Sequence, residues 1–127
     1  MVGRGIGIGG GCLSGRVAFD MQDLEQLKAE YPREKLILIR PDTVPDDIQM
    51  IFACDGLVTS RGGVTSHAAV AAEKLGKVCI VNCKELLVDD RQKIGTLNGF
   101  VIKAGDELSI DGTVGSIFAG RYPVKYI

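Results

Sequence analysis

The stretch Ser60-Arg61-Gly62-Gly63-Val64-Thr65-Ser66-His67-Ala68-Ala69 contains the one histidine of the chain. A neutral imidazole nitrogen is nucleophilic at pH 7, so histidine can take a group covalently and release it again. The neighbours suit an anionic group. Gly62 and Gly63 let the backbone turn sharply and present N–H groups without side-chain interference. Thr65 and Ser66 add hydroxyl donors, and Arg61 adds positive charge. Ser66 is placed as the N-cap of the run HAAVAAEKLG, which puts His67 in a first helical turn, where unpaired N–H groups and the helix dipole favour negative charge. Such surroundings fit an imidazole that accepts a phosphoryl group, through a P–N bond that breaks easily enough to pass the group on. These residues also fit a plain histidine that caps a helix or fills a polar gap. Zinc is disfavoured, because no second histidine and no suitably spaced cysteine stand nearby in the sequence.

The elements around this segment decide how it is presented. GLVTS before it reads as a buried strand, and the alanine-built helix after it stops at Gly76. The histidine therefore sits where a strand hands over to a helix, the edge at which open α/β layers bind ligands. Upstream, DMQDLEQLKAEY carries Met21, Leu24, Leu27 and Tyr31 at helical spacing with Asp20 as N-cap. KLILIR is a buried strand, and TVPDDIQMIFAC starts a short helix with Pro45, Asp46 and Asp47 in its first turn. VCIVN is another buried strand. From about Leu86 the pattern turns to short strands, with Asn98-Gly99 between alternating apolar runs as a strong hairpin signal. Residues 3–15 predict a loop or a glycine-rich edge, followed by the short apolar run RVAF. The fold class expected is α/β, with mixed layered sheets and helices on one side.

A chain of 127 residues, 46% hydrophobic and 24% charged, reads as one soluble domain over residues 1–127, with a glycine-rich leading segment at 1–11. Its net charge is −1, tryptophan is absent, and only three tyrosines and four phenylalanines occur, which argues against nucleic-acid binding by charge and stacking. No apolar run is long enough to span a bilayer, so no membrane partner and a cytoplasmic location are expected. Cys12, Cys54, Cys79 and Cys83 do not make a disulfide framework. Cys79 and Cys83 lie in one strand-like run, which predicts one face and a separation of about 13 Å, too far for a bridge or shared metal. All four are expected to be small reduced hydrophobes, the strand pair buried. Gly5, Gly7 and Gly10 spell G-x-G-x-x-G, but no strand precedes them and no helix follows, so they predict a flexible loop and no dinucleotide site. No phosphate-binding lysine loop occurs, so the chain is expected to hold no nucleotide itself.

Taken together, RPDTVPDDIQMIFACDGLVTSRGGVTSHAAVAAEKLGKVCIVNC resembles the phosphohistidine domain of the pyruvate, phosphate dikinase family, a PEP-utilising mobile domain. The resemblance rests on Thr43, Pro45 and Asp47 as T-x-P-x-D and on Gly62 to Ala69 as G-G-x-T-S-H-A-A. Gly76-Lys77 and the strand ending at Cys83 continue it, and the segments GIGGGCLSGRVAF and TLNGFVIKAGDELSIDGTVGSIFAG extend it over nearly the whole chain. One departure is Gly10-Gly11-Cys12, where the family usually carries a Ser-Pro step. The resemblance implies a swivelling β/β/α phosphohistidine domain. It implies that His67 accepts the phosphoryl group through Nε2, in a pocket lined by Arg61, Gly62, Gly63, Thr65 and Ser66. It further implies two partners, in the same polypeptide or as separate subunits. An ATP-grasp nucleotide-binding domain would charge the histidine from ATP, and a TIM-barrel domain would pass the group reversibly to pyruvate to form phosphoenolpyruvate. ATP and Mg²⁺ would act at those partners, with no cofactor or metal held by this domain. A barrel alone needs roughly 250 residues, so the chain is expected to be an excised central domain or a separate carrier. Phosphoenolpyruvate synthase, Enzyme I of the sugar phosphotransferase system and a non-catalytic swivelling module are the alternatives in view, and the tail with the T-x-P-D element favours the dikinase.

Overall fold

Three runs almost free of charge, residues 36–40, 56–59 and 78–81, can bury both faces, and such runs favour the middle of a parallel sheet. The structure is a computed structural model that describes residues 2–8, 10–43, 47–62, 66–89 and 91–120. In chain order its elements are β1 (Gly3–Arg4), β2 (Ile6–Ile8), β3 (Cys12–Ala18), α1 (Met21–Glu30), β4 (Leu36–Arg40), α2 (Ile48–Ala53), β5 (Gly56–Thr59), α3 (His67–Lys74), β6 (Val78–Val81), β7 (Leu86–Asp89), β8 (Ile94–Leu97), β9 (Phe100–Lys103), β10 (Glu107–Asp111) and β11 (Ser116–Ala119). The main sheet runs β1-β11-β10-β3-β4-β5-β6-β2, and β7-β8-β9 form a second, antiparallel sheet. Neighbours from β3 to β6 are parallel, with Ile39 beside Val58 and Val58 beside Ile80.

The period of two along the central strands divides the interior into two cores. Leu36, Leu38, Leu57, Cys79 and Val81 face one way and pack with Leu24, Leu27, Ile51, Ala68, Ala69 and Ala72 from the three helices. Ile37, Ile39, Val58 and Ile80 face the other way and pack with Leu86, Leu97 and Ile102 from the small sheet. The layers are therefore sheet, sheet and helices, with all helices on one side, as the sequence predicts. Packing, not intrinsic propensity, holds α1. A ten-residue helix is marginal alone, whereas burying Leu24 and Leu27 contributes roughly 1.5–3 kcal/mol each. Asp20 caps α1 by accepting from the Asp23 N–H at 2.9 Å. The buried Asp23 carboxylate accepts from the Phe19 N–H at 3.0 Å and from Lys93 Nζ at 3.1 Å, tying the β7–β8 turn to the helix start. No helix among the described residues is long and apolar enough to cross a membrane.

Two expectations need correction. Of the two readings offered for residues 3–15, the glycine-rich edge holds and the flexible loop does not: β1 and β2 are the end strands of the main sheet. β1 pairs with β11 and β2 pairs with β6, although only Gly5 separates β1 from β2. One short segment thus reaches both ends of the main sheet and draws them together. The glycines are there for space: a Cβ on Gly7 would collide with the Gly112 carbonyl, and one on Gly115 would collide with the Gly5 carbonyl. The second correction concerns Cys79 and Cys83, which lie in opposite cores. The strand ends at Val81, and Asn82 turns the chain over through a left-handed φ of 58°.

Candidate functional site

Parallel neighbours end at the same edge, so the loops that follow β4 and β5 start side by side, with Arg40 opposite Thr59. Backbone and side-chain bonds lace these loops together. The Ser60 hydroxyl donates to the Pro41 carbonyl at 2.9 Å, and the Arg61 N–H donates to the same carbonyl at 3.1 Å. The Thr59 hydroxyl donates to the Arg61 carbonyl at 2.6 Å, while the Cys83 N–H donates to the Thr59 carbonyl at 3.0 Å and brings in the segment after β6. The platform below the histidine is therefore braced from three loops.

Gly62 has a φ of +104°, and a Cβ there would stand 3.0 Å from Ser66 Oγ. Only glycine meets both the conformation and the close approach. Ser66 is extended and caps α3, its Oγ accepting from the Ala69 N–H at 3.3 Å. His67 is the first residue of that helix. At the far end Gly76 is left-handed, with the Lys77 N–H bonded to the Ala72 carbonyl at 2.8 Å and the Gly76 N–H to the Glu73 carbonyl at 3.2 Å, the paired bonds of a Schellman stop. Both ends of α3 are thus fixed locally.

The structure brings Gly62, Ser66 and His67 together. Arg61 is exposed, and among the described residues its backbone, not its guanidinium, is engaged with the neighbouring loops. Gly63 and Thr65, and Pro45 and Asp46 of the earlier helix start, lie outside the described residues. Asp47 stands at the N-cap of α2, one position before the turn in which the sequence places it.

Sequence reasoning gave Thr43 a place in a motif but no contact. Its side chain is buried, and Oγ1 lies 3.4 Å from His67 Nδ1. A threonine hydroxyl can donate or accept. When it accepts from an Nδ1–H, the lone pair is on Nε2, which has no protein partner among the described residues. The ring opens on a groove of about 250 Å³ between α2 and α3, lined by Ile48, Val70, Ala71, Lys74 and Leu75. The signal for Thr43 is its position just past β4, the neighbour of the strand that leads to the histidine.

The four cysteines are free thiols. Burial pushes Cys54 and Cys79 up to about 12 and Cys83 up to about 11, and burial with the nearby Asp111 carboxylate raises Cys12 as well. Raised thiols make poor nucleophiles, so none of the four is suited to covalent chemistry. Among the described residues, no three His, Cys, Asp or Glu side chains are grouped to hold a metal ion.

The fold and the site define a layered α/β domain that holds its single histidine on a helix N-terminus at the edge of parallel strands. The chain belongs to the family of the PEP-utilising enzyme mobile domain, whose model matches residues 32–115. It is 40% identical over 123 residues to pyruvate, phosphate dikinase of Rickettsia conorii, covering 97% of this chain and 14% of that protein. It is also 40% identical over 121 residues to the chloroplastic pyruvate, phosphate dikinase of Flaveria trinervia, covering 95% of this chain and 12% of that protein. The chain thus spans about one-seventh of the length of these relatives. A solution structure of an Enzyme I protein, nEIt, is 27% identical over 68% of this chain and 31% of that one, with a TM-score of 0.48.

Proposed function

We propose that this chain is the phosphoryl carrier of a pyruvate, phosphate dikinase-type phosphotransferase, with His67 as the residue that is charged. The observation that carries this reading is the imidazole itself: it stands on the first residue of α3, Nδ1 faces the Thr43 hydroxyl at 3.4 Å, and Nε2 has no protein partner among the described residues. Identity of 40% to two dikinases over nearly the whole chain supports the choice of reaction. In the charging step Nε2 attacks phosphorus, a P–N bond forms, and the P–O bond to the donor breaks with its electron pair leaving on the donor oxygen. Nδ1 keeps its proton throughout, shared with Thr43. In the second step the enolate oxygen of pyruvate attacks phosphorus, the P–N bond breaks, and the electron pair returns to Nε2. The positive end of the α3 dipole, with the His67 and Ala68 N–H groups that have no partner among the described residues, stabilises the transferred anion.

ATP and Mg²⁺ belong, in this reading, to an ATP-grasp domain and a barrel domain elsewhere in the enzyme, and this chain holds no cofactor. In this reading the phosphoryl pocket is formed by Gly62, Gly63, Thr65, Ser66 and Arg61 on the loop before α3. Gly62 and Ser66 stand beside His67 at the start of that helix, and the groove between α2 and α3 is a separate surface on its flank. The domain swivels between the two remote sites, and the layered double core lets it move as one body. The test is to incubate the chain with Mg²⁺, phosphorus-labelled phosphoenolpyruvate and full-length Rickettsia conorii dikinase. The chain should acquire an acid-labile, base-stable label. Labelling of a His67→Ala chain to the same extent would overturn the assignment.

A further inference from the structure

The helix layer exposes apolar side chains that a buried layer would not need. Phe52 on α2 is 69% exposed, Ile48 on the same helix 43%, and Val70 on α3 40%. They are contiguous. One groove, between α1 and α2, is lined by Met21, Lys28, Ile48, Gln49, Phe52 and Ala53. Ile48 also lines the groove onto which His67 opens. A single apolar surface therefore runs from Phe52 through Ile48 to the histidine. An apolar patch of this kind beside a reactive group marks an interaction face.

Its charge is one-sided. Lys28 stands in the first groove, Lys74 in the second, and the Lys77 ammonium lies 5.8 Å from the centre of the Phe52 ring. Among the described residues no carboxylate lines either groove. The chain covers 14% and 12% of the two dikinases, so most of the surface of those relatives lies outside the part it matches.

We infer that the Phe52–Ile48–Val70 surface is the docking face for the partner domain that exchanges the phosphoryl group between phosphoenolpyruvate and His67, and that this partner meets it with an apolar contact edged by carboxylates. The inference rests on His67 being the carrier. His67 lines this groove, so a partner that reaches the imidazole meets it, and the exposed aromatic supplies the anchor. The lysines steer an acidic rim towards it and give the encounter a dependence on salt.

Two phosphoryl donors separate docking from chemistry. Phosphoramidate is small enough to charge a histidine without a docked protein, whereas the Rickettsia conorii dikinase with labelled phosphoenolpyruvate and Mg²⁺ must dock. Phe52→Ser should slow labelling by the dikinase about tenfold or more, since truncating an aromatic anchor typically has an effect of this size. Lys28→Glu should slow it severalfold at low salt, and the gap should close as salt is raised. Both variants should take label from phosphoramidate at the wild-type rate. Equal labelling of wild type and Phe52→Ser by the dikinase overturns the inference. So does a wild-type chain that phosphoramidate labels and the dikinase never does. If neither donor labels the wild type, the carrier reading fails and the docking face falls with it. A Phe52→Ser chain that loses both reactions is checked by Ile48→Ser, and loss of both there too refutes a docking role. Sedimentation showing a dimer that Phe52→Ser dissociates, with labelling by the dikinase unchanged, would assign the face to a second copy instead.

Discussion

Replacing Thr43 by valine isolates what the threonine does for the histidine. The two side chains have nearly the same shape, and Thr43 is only 6% exposed, so packing changes little. What is lost is the oxygen 3.4 Å from Nδ1. In the resting ring this is a long contact that contributes near the bottom of the usual 0.5–1.5 kcal/mol range. During phosphoryl transfer the ring gains positive charge, Nδ1–H becomes a stronger donor, and bonds to charged groups contribute about 1.5–3 kcal/mol. The difference, about 1–2 kcal/mol, appears only in the transition state and in the phosphorylated form. Thr43→Val should therefore slow charging by roughly 5- to 30-fold, with the apparent affinity for the donor unchanged. Thr43→Ser, which keeps the hydroxyl, should recover most of the rate. Rapid-quench labelling with phosphoramidate measures the rate, and ¹⁵N shifts of the imidazole report whether Nδ1 loses its proton preference. A valine variant that charges at the wild-type rate, with unchanged nitrogen shifts, refutes a positioning role for Thr43.

Gly7→Ala should lower the unfolding free energy by about 3 kcal/mol, as overpacking against fixed backbone does, because the new methyl meets the Gly112 carbonyl. Gly76→Ala, with open space around it and a φ of 68°, should lose only about 1–2 kcal/mol from the left-handed conformation, and urea titrations of the two variants give the comparison. Stability should also fall as pH rises from 9 towards 12. The Cys54 and Cys79 thiols, raised by burial to about 12, stay protonated in the native chain while the unfolded chain gives up those protons. The native state then binds more protons, and each thiol contributes a slope of about −1.4 kcal/mol per pH unit in that window. Urea midpoints at pH 8 and pH 10.5 should therefore drop more steeply for the wild type than for a Cys54→Ala/Cys79→Ala chain.

Features whose cause lies within a few residues were legible in the sequence. Asp20 and Ser66 cap the helices that they precede. Asn98 and Gly99 adopt φ values of 49° and 83°, the mirror-image turn that their pairing predicts between two strands. Gly76 stops α3 because only a residue tolerant of the left-handed region can close that end. Each signal needs only its own neighbours. Cys79 and Cys83 show where this reasoning breaks: extrapolating the strand's period past Val81 puts Cys83 on the wrong face, since Asn82 reverses it. Asparagine tolerates that conformation without requiring it, so the sequence alone could not say that it is used.

What local reasoning missed shares one physical origin, pairing between distant segments. Thr43 meets His67 across 24 residues only because β4 and β5 are adjacent and parallel. The leading glycines look like a flexible loop because they carry no side chains to show a period, yet Gly3 pairs with Ile117 and Ile6 with Val81. In such a seam a glycine is selected for the space it leaves, and that requirement is set by backbone a hundred residues away. The same pairing stiffens the frame beneath the histidine, since β2 lies on β6 and the segment after β6 braces the loop that follows β5. A glycine-rich opening therefore serves rigidity in this chain, and it holds the one imidazole on a frame braced by pairing from both ends of the main sheet.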